Sequence, residues 1–412
     1  MNNNSNKSDI IIIGGGAAGF FTAINLAENN PDLKIIILER SSEVLTKVKI
    51  SGGGRCNLTH AEFIPKELIQ NYPRGKKELL GPFHTFMTGD TIEWFEKRGV
   101  PLKIEEDGRM FPESNSSQTI VDCFINETNR LGVAILKNHS VKKIKKENES
   151  WVITTEKGDF ISDNLVIATG SNAKVWNLIE GLGHTIIPPV PSLFTFNIQD
   201  SRIKNLPGVA TKASVKVISK NKNSLESEGA LLITHWGLSG PAILKLSAWG
   251  ARDLNELGYQ FKIIVNWLLD ISEEEAFEKL KDLKEIHSKQ TLYKYAQLEI
   301  PKRLWQSLLT ASEISETQKW AETTNKQLQK IVNQLTQTEF QVNGKSTFKD
   351  EFVTAGGIDL KEINFKNYQS KLQDNLYFAG EVLNIDAITG GFNFQNAWTG
   401  GYIVAKSISG NL

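Results

Sequence analysis

The chain has 412 residues, 40% hydrophobic and 23% charged, the composition of an ordinary soluble globular protein of two or three domains. Its 47 basic and 47 acidic residues cancel, which points away from a nucleic-acid polyanion as the main partner. Cysteine occurs only at Cys56 and Cys123, which excludes a disulfide framework and a cysteine-rich zinc or iron–sulfur site.

Residues 1–8 are polar and Asn-rich, and the apolar run 10–13 is too short for a signal core or a membrane segment, so the expected compartment is the cytoplasm. Residues 9–13 are β-branched and apolar on both faces, the pattern of a strand inside a parallel sheet. Glycines follow over 14–19, then a helix from Phe20 to Glu28 that Asn29-Asn30-Pro31 breaks. Residues 34–38 are a second buried strand ending at Glu39, completing a β-α-β unit of about 30 residues. Residues 42–60 read as a glycine-rich, basic loop, and 85–132 as helical patches between turns.

Trp151 to Thr155, a turn at Lys157-Gly158 and Phe160-Ile161 make a hairpin; 165–168 is a further buried strand, stopped by Thr169-Gly170. Pro188, Pro189 and Pro191 mark a domain crossing. Residues 192–266 show short strands, as at 213–217 and 261–265. From 272 the pattern turns helical, with Ser272 and Glu275 spaced as a capping box and Leu328, Ile331, Val332 and Leu335 at helical spacing. Strands and glycines return at 352–358 and 376–380, and a final helix is predicted over 394–407. The predicted fold class is α/β: a Rossmann-type domain split in sequence, 1–191 and 350–412. It carries an inserted domain over 192–349, β-rich over 192–270 and helical over 271–340.

The strongest motif is Gly14-x-Gly16-x-x-Gly19 between a strand and a helix. A pyrophosphate needs bare backbone amides and the positive end of a helix: Gly14 permits the tight turn, Gly16 the close approach, Gly19 the helix–strand packing. Glu39, twenty residues beyond Gly19, is spaced to accept from an adenosine ribose 2′-hydroxyl, and its charge disfavours a 2′-phosphate. The motif by itself does not separate FAD from NAD. The loop Lys49-Ile-Ser51-Gly52-Gly53-Gly54-Arg55-Cys56-Asn57 adds exposed amides and a cation, Arg55, for a pyrophosphate; a flexible surface loop is the plainer alternative. Near the C-terminus, a strand ends in Gly380-Glu381, placing a carboxylate for a ribityl hydroxyl. A Gly390-Gly391-Phe392-Asn393 turn then opens a helix, whose positive end favours the anion formed when a flavin is reduced; an ordinary packing turn is the alternative.

Together with Thr234-His-Trp-Gly-Leu-Ser-Gly-Pro241, these segments resemble the BaiN/RdsA-type, or YhiN-like, bacterial NAD(P)/FAD-dependent oxidoreductases almost from end to end. The resemblance implies a flavoprotein fold with a β-barrel-like and a helical inserted part. It implies FAD contacts at Gly14, Gly16, Ala17, Ala18 and Gly19, at Glu39, Arg40 and Lys47, and from Ser51 to Asn57. Further contacts are implied at Val141, at Ala168, Thr169 and Gly170, at Gly380 and Glu381, and at Asp386, Gly390, Gly391, Phe392 and Asn393. Where the family often has Asp-x-Asp-Gly, this chain has Asn384-Ile385-Asp386-Ala387, one carboxylate fewer and a stiffer turn.

A second nucleotide site for NAD(P)H has one candidate, Gly181-Leu-Gly183, which follows a helix-like stretch rather than a strand. A nicotinamide, if used, therefore visits a shared site near the flavin; another donor, or oxidation by oxygen, stays open. Cys56 is either a redox thiol without a CxxC partner or a packing residue, and Cys123 is a core residue. His235 is the candidate proton donor, against a turn in which it and Ser239 anchor the β-rich part. Phe194 and Phe196 read as core; Arg109 binds an anionic substrate or closes a surface salt bridge. The expected function is FAD-dependent oxidoreduction, hydride passing through flavin N5 between a reduced donor and a small organic substrate such as an activated double bond. The alternatives are a nicotinamide-independent flavin oxidase or dehydrogenase, an RNA-modifying flavoprotein, which the absence of net charge and of a basic tract disfavours, and a purely structural flavoprotein.

Overall fold

A computed structural model describes residues 7–218, 225–269, 271–346 and 353–410. Residues 1–6, Phe352 and the boundary predicted at 349–350 lie outside them. The chain divides into two compact units, Met1–Val190 with Lys349–Leu412, and Pro191–Phe348.

The first unit is built on the strand Lys7–Ile13. Its parallel neighbours are Ile35–Leu38, with Ile10 opposite Ile35, and Gly158–Ile167, with Ile13 opposite Ile167. Ala134–Leu136 extends the sheet on one side and Leu376–Phe378 on the other, both parallel. Counted along the chain, these five strands stand in the order 3-2-1-4-5, the doubly wound arrangement. Ile10, Ile11, Ile12 and Ile13 are all buried, as a central parallel strand requires. The hairpin is a three-stranded meander, Val141–Glu147, Ser150–Thr155 and Gly158–Ile167.

The helices Ala17–Asn29 and Phe392–Ile408 lie against one another; Gly401 is so close that a Cβ there would sit 3.0 Å from Thr22 Oγ1. Phe21, Phe124 and Trp398 fill the space beside them, with ring centroids 5.2 and 5.6 Å apart to Trp398. Both helices begin earlier than their apolar patterns, at Ala17 and Phe392, because glycines and not hydrophobic residues set their first turns. The predicted loop at 42–60 contains a short helix, Thr46–Gly54. It is interrupted where Ser51 is extended (ψ 151°) and Gly52 and Gly53 turn left-handed (φ 58° and 68°).

The second unit is one antiparallel sheet. Its order is Thr338–Asn343, Gln260–Asn266, Ala210–Ile218, Glu226–Ile233, Gly237–Ser239, Thr195–Asn197, Lys345–Ser346. The two outermost members, Thr338–Asn343 and Lys345–Ser346, are consecutive in the chain, separated by Gly344, whose carbonyl accepts from the Asn197 amide at 3.0 Å. The helices Glu273–Ile286, Lys302–Ala311 and Asn325–Thr336 share a core with the sheet that includes Phe194 and Phe196. Two features depart from the predicted split: two helices, Pro241–Trp249 and Ala251–Glu256, lie within the β-rich stretch, and strands return after the helical one. Ser272 Oγ caps its helix through the Glu275 amide at 3.1 Å, but the two-way box of this unit forms at Thr324 and Gln327.

Candidate functional site

In a doubly wound sheet the ligand crevice opens beyond the carboxyl ends of the strands, where the order reverses. Here the reversal falls between Lys7–Ile13 and Gly158–Ile167. Gly14, Glu39, Ala168–Gly170 and Gly380–Glu381 each directly follow or closely succeed one of four neighbouring strands, so the fold gathers them at one edge.

Gly14 sits where φ is +114°, and a Cβ on it would lie 2.4 Å from the Ala168 carbonyl oxygen. Gly19 meets the underside of the same turn: its Cβ would fall 2.0 Å from the Gly14 oxygen. Gly16 differs. No atom lies within 4 Å of where its Cβ would be, and it opens the helix Ala17–Asn29 without a side-chain cap. The first amides of that helix, which no side chain caps, carry a partial positive charge.

Glu39 holds this turn in place. One carboxylate oxygen accepts from the Gly15 amide and the other from Ser41, both at 2.8 Å. Arg40 beside it is exposed, and Val141 starts its strand just after His139, whose amide bonds the Glu39 carbonyl at 2.8 Å. Glu381 accepts from the Thr354 amide at 3.1 Å and pairs with Lys47 at 2.5 Å, tying the end of the C-terminal strand to the helix after Glu39. Thr169 Oγ1 is buried with no hydrogen-bond partner.

Several sequence-predicted contacts have internal partners. Arg55 pairs with Glu105 at 2.6 Å and lies 3.8 Å above the Phe111 ring. Cys56 is wholly buried at φ 60°, and burial pushes its thiol up to about 12, so it is no thiolate at neutral pH. Asp386 is fully buried and held by both arms of Arg74, with Nε to Oδ1 at 2.5 Å. Asn393 closes a two-way bond with the Ala387 backbone, at 3.0 and 3.1 Å. Arg109 takes the salt-bridge reading, at 2.7 Å from Asp107 and 3.2 Å from Glu105. Cys123 is buried, its thiol also raised to about 12 by burial. In the second unit, His235 is exposed beside Trp236 on the turn closed by Thr234 and Gly237.

His60 was not singled out by any motif. Its ring stacks on Phe392 at 4.5 Å, and its Nδ1 lies 3.1 Å from the Gly390 carbonyl, at the mouth of the second glycine turn. A lone histidine in a loop carries no local signal; only the fold brings 60 to 390. Lysines also gather on one strand of the first unit. Val141–Glu147 carries Lys142, Lys143, Lys145 and Lys146, although Lys142 pairs with Glu156 and Lys145 with Glu147.

A parallel sheet of this order, with a glycine turn at its central strand and an uncapped helix N-terminus beyond it, is the architecture of the dinucleotide-binding oxidoreductases, those of NAD and FAD alike. The chain is similar to the 3-ketosteroid-Δ4-(5α)-dehydrogenase of Rhodococcus jostii RHA1, at TM-score 0.54 and 12% identity, over 98% of this chain and 97% of that one. It is also similar to a flavocytochrome c3 fumarate reductase, at TM-score 0.51 and 14% identity, over 99% and 79%. The family model described as HI0933-like protein Rossmann domain matches residues 8–407, and the chain belongs to that family of FAD-dependent oxidoreductases. Among characterised relatives, the 3-dehydro-bile acid delta(4,6)-reductase of Clostridium scindens is 27% identical over 398 residues, 95% of this chain and 96% of that protein. The ribosomal RNA dihydrouridine synthase of Haemophilus influenzae is 28% identical over 407 residues, again 95% and 96%.

Proposed function

We propose that this protein holds FAD at the carboxyl edge of its parallel sheet and reduces a carbon–carbon double bond conjugated to a carbonyl group. The observation that carries this reading is the convergence of the Gly14–Gly19 turn, Glu39, the Ala168–Gly170 turn and Gly380–Glu381 around an uncapped helix N-terminus. The residues fit the cofactor. The bare amides after Gly16 take the pyrophosphate, the carboxylate of Glu39 has lone pairs left for the adenosine ribose, and Glu381 stands beside Gly170 for the ribityl chain. Ala17, Ala18, Val141 and the loop from Ser51 to Asn57 shape the same edge. When bound, FAD supplies hydride transfer. The chain itself binds and orients the flavin.

The acceptor chemistry is supported by the names of the relatives. One reduces a bile-acid double bond, the other makes dihydrouridine, a uracil ring with its double bond saturated. Their substrates differ greatly in size, so the shared element is the conjugated bond. A small-molecule substrate agrees with the absence of net charge; an RNA substrate is the other reading, favoured by the second relative and by the lysines of Val141–Glu147. The donor is proposed to be NADH or NADPH. The nicotinamide-independent alternative rests on Gly181-Leu-Gly183, which follows the end of the helix Ala173–Glu180 instead of opening one.

Anaerobic stopped-flow mixing of the FAD-loaded protein with NADH and NADPH tests the donor, and a second mix with a steroid enone or with uridine-containing RNA tests the acceptor. Bleaching at about 450 nm followed by recovery with one acceptor is expected. No bleaching with either nicotinamide removes the nicotinamide-dependent reading, and recovery with neither acceptor removes the double-bond chemistry.

A further inference from the structure

The peptide bond between Gly390 and Gly391 is gripped at both of its polar ends. Its carbonyl lies 3.1 Å from His60 Nδ1; a carbonyl only accepts, so Nδ1 carries the proton and donates. Its N–H lies 3.0 Å from the Asn57 side-chain oxygen when that carboxamide is turned so that its nitrogen donates to the Thr59 and Met110 carbonyls, at 3.0 and 3.2 Å. Between the two gripping residues, the Thr59 backbone passes so close that a Cβ on Gly391 would fall 2.5 Å from its oxygen. The His60 ring is locked in turn by stacking on Phe392 at 4.5 Å and 30°. Tyr72 fixes the next carbonyl, its hydroxyl donating to Phe392 O at 2.6 Å.

This grip uses up both polar groups of the Gly390–Gly391 peptide. The helix that follows, Phe392–Ile408, has no side-chain cap, so the amides of Phe392 and Asn393 are left as its positive end. From this geometry we infer that His60, with Asn57, is a positioning residue: it aims the C-terminal helix at the pyrimidine edge of the flavin and so tunes the flavin's reduction potential. The inference rests on the proposed flavin reading. In this role His60 acts through the helix and not on the reacting atoms. It fixes the orientation of a dipole that stabilises the negative charge of the reduced ring more than the neutral oxidised one. A loosened turn spreads that dipole over many directions, and the reduced form loses more than the oxidised form.

The test compares the wild type with His60→Phe, which keeps the stacking ring but has no donor, and His60→Asn, which places an amide N–H near the position of Nδ1. With FAD bound, His60→Phe is expected to weaken binding of reduced relative to oxidised flavin about tenfold, a fall in midpoint potential of about 30 mV for a two-electron couple. His60→Asn is expected to restore most of it. A packing role alone predicts the reverse ranking of the two variants, and a wild-type potential in His60→Phe overturns the inference. Hydrogen exchange at the Gly391 amide in the wild-type protein without flavin needs no variant: protection is expected, and exchange at the rate of an open loop overturns the grip. A wild type that takes up no FAD while keeping Gly391 protected contradicts the flavin reading and leaves the grip itself standing.

Discussion

Gly14 and Cys56 show opposite relations between sequence and site. The spacing of Gly14, Gly16 and Gly19 announces its geometry, because a turn beneath a helix leaves no room for Cβ at two of these positions and needs none at the third. Cys56 and Arg55 sit in an equally suggestive loop, yet the structure buries one and pairs the other with Glu105, fifty residues away. Local sequence cannot reveal such partners, and His60 was invisible for the same reason. A thiol held up near 12 by burial is neither a nucleophile nor a ready redox group at neutral pH. Cys56→Ser is therefore expected to keep the wild-type rate of flavin reduction, and Cys56 in the folded protein is expected to resist iodoacetamide over hours. Rapid alkylation, read by mass spectrometry, would contradict this.

The elements of the first unit were legible wherever one periodicity ran unbroken, as in the isoleucine strands 9–13 and 34–38. They were not legible where distant residues close them. Asp386, expected at the cofactor, has a partner no local pattern shows: it is buried and paired with Arg74, from a segment 312 residues earlier. Asp386→Asn leaves the Arg74 guanidinium uncompensated and is expected to cost about 3–5 kcal/mol in denaturant unfolding, as loss of one partner of a buried pair does. A change below about 1 kcal/mol would show that the pair is not what holds the segment.

A second pairing joins the turn after Ala173–Glu180 to the strand pair near 363–370. Ser370 Oγ accepts from the Leu372 and Gln373 amides, at 3.0 and 2.9 Å, and lies 2.9 Å from His184 Nε2; His184 Nδ1 lies 3.0 Å from Glu362. Burial lowers the proton affinity of His184 below the usual histidine range, although Glu362 opposes it, so the folded state keeps the ring neutral. The unfolded chain binds more protons below the ordinary histidine value of about 6.5. Stability from this group is therefore full above that value and is lost as pH falls through it toward the lower folded value. The lowered carboxyl of Glu362 acts in the same direction at more acid pH. Tm is expected to fall on acidification from pH 7 to 5, and His184→Gln is expected to flatten that slope; an unchanged slope would place its origin elsewhere.

At the scale of the whole molecule, the split of the sheet domain around an insertion was readable from the return of strands and glycines after a helical stretch. The placement of Thr338–Asn343 and Lys345–Ser346 at opposite ends of one strand order was not, because sheet order is a non-local property. Balanced total charge averages over local clusters such as the lysines of Val141–Glu147 and the acids that offset them. The central claim concerns the edge of the parallel sheet, and Gly16 isolates it. A side chain there meets no protein atom, and aspartate suits both the cap position and the helix dipole, so Gly16→Asp should leave Tm unchanged or raise it slightly. The same carboxylate would stand where the pyrophosphate of FAD approaches and repel it. FAD titration of apoprotein, followed by flavin fluorescence, is the most direct measurement: the wild type is expected to bind and Gly16→Asp to lose binding by at least about 100-fold, the effect of about 3 kcal/mol of lost anion contacts and added repulsion. Equal FAD affinity in the two proteins would contradict the placement of the cofactor at this edge.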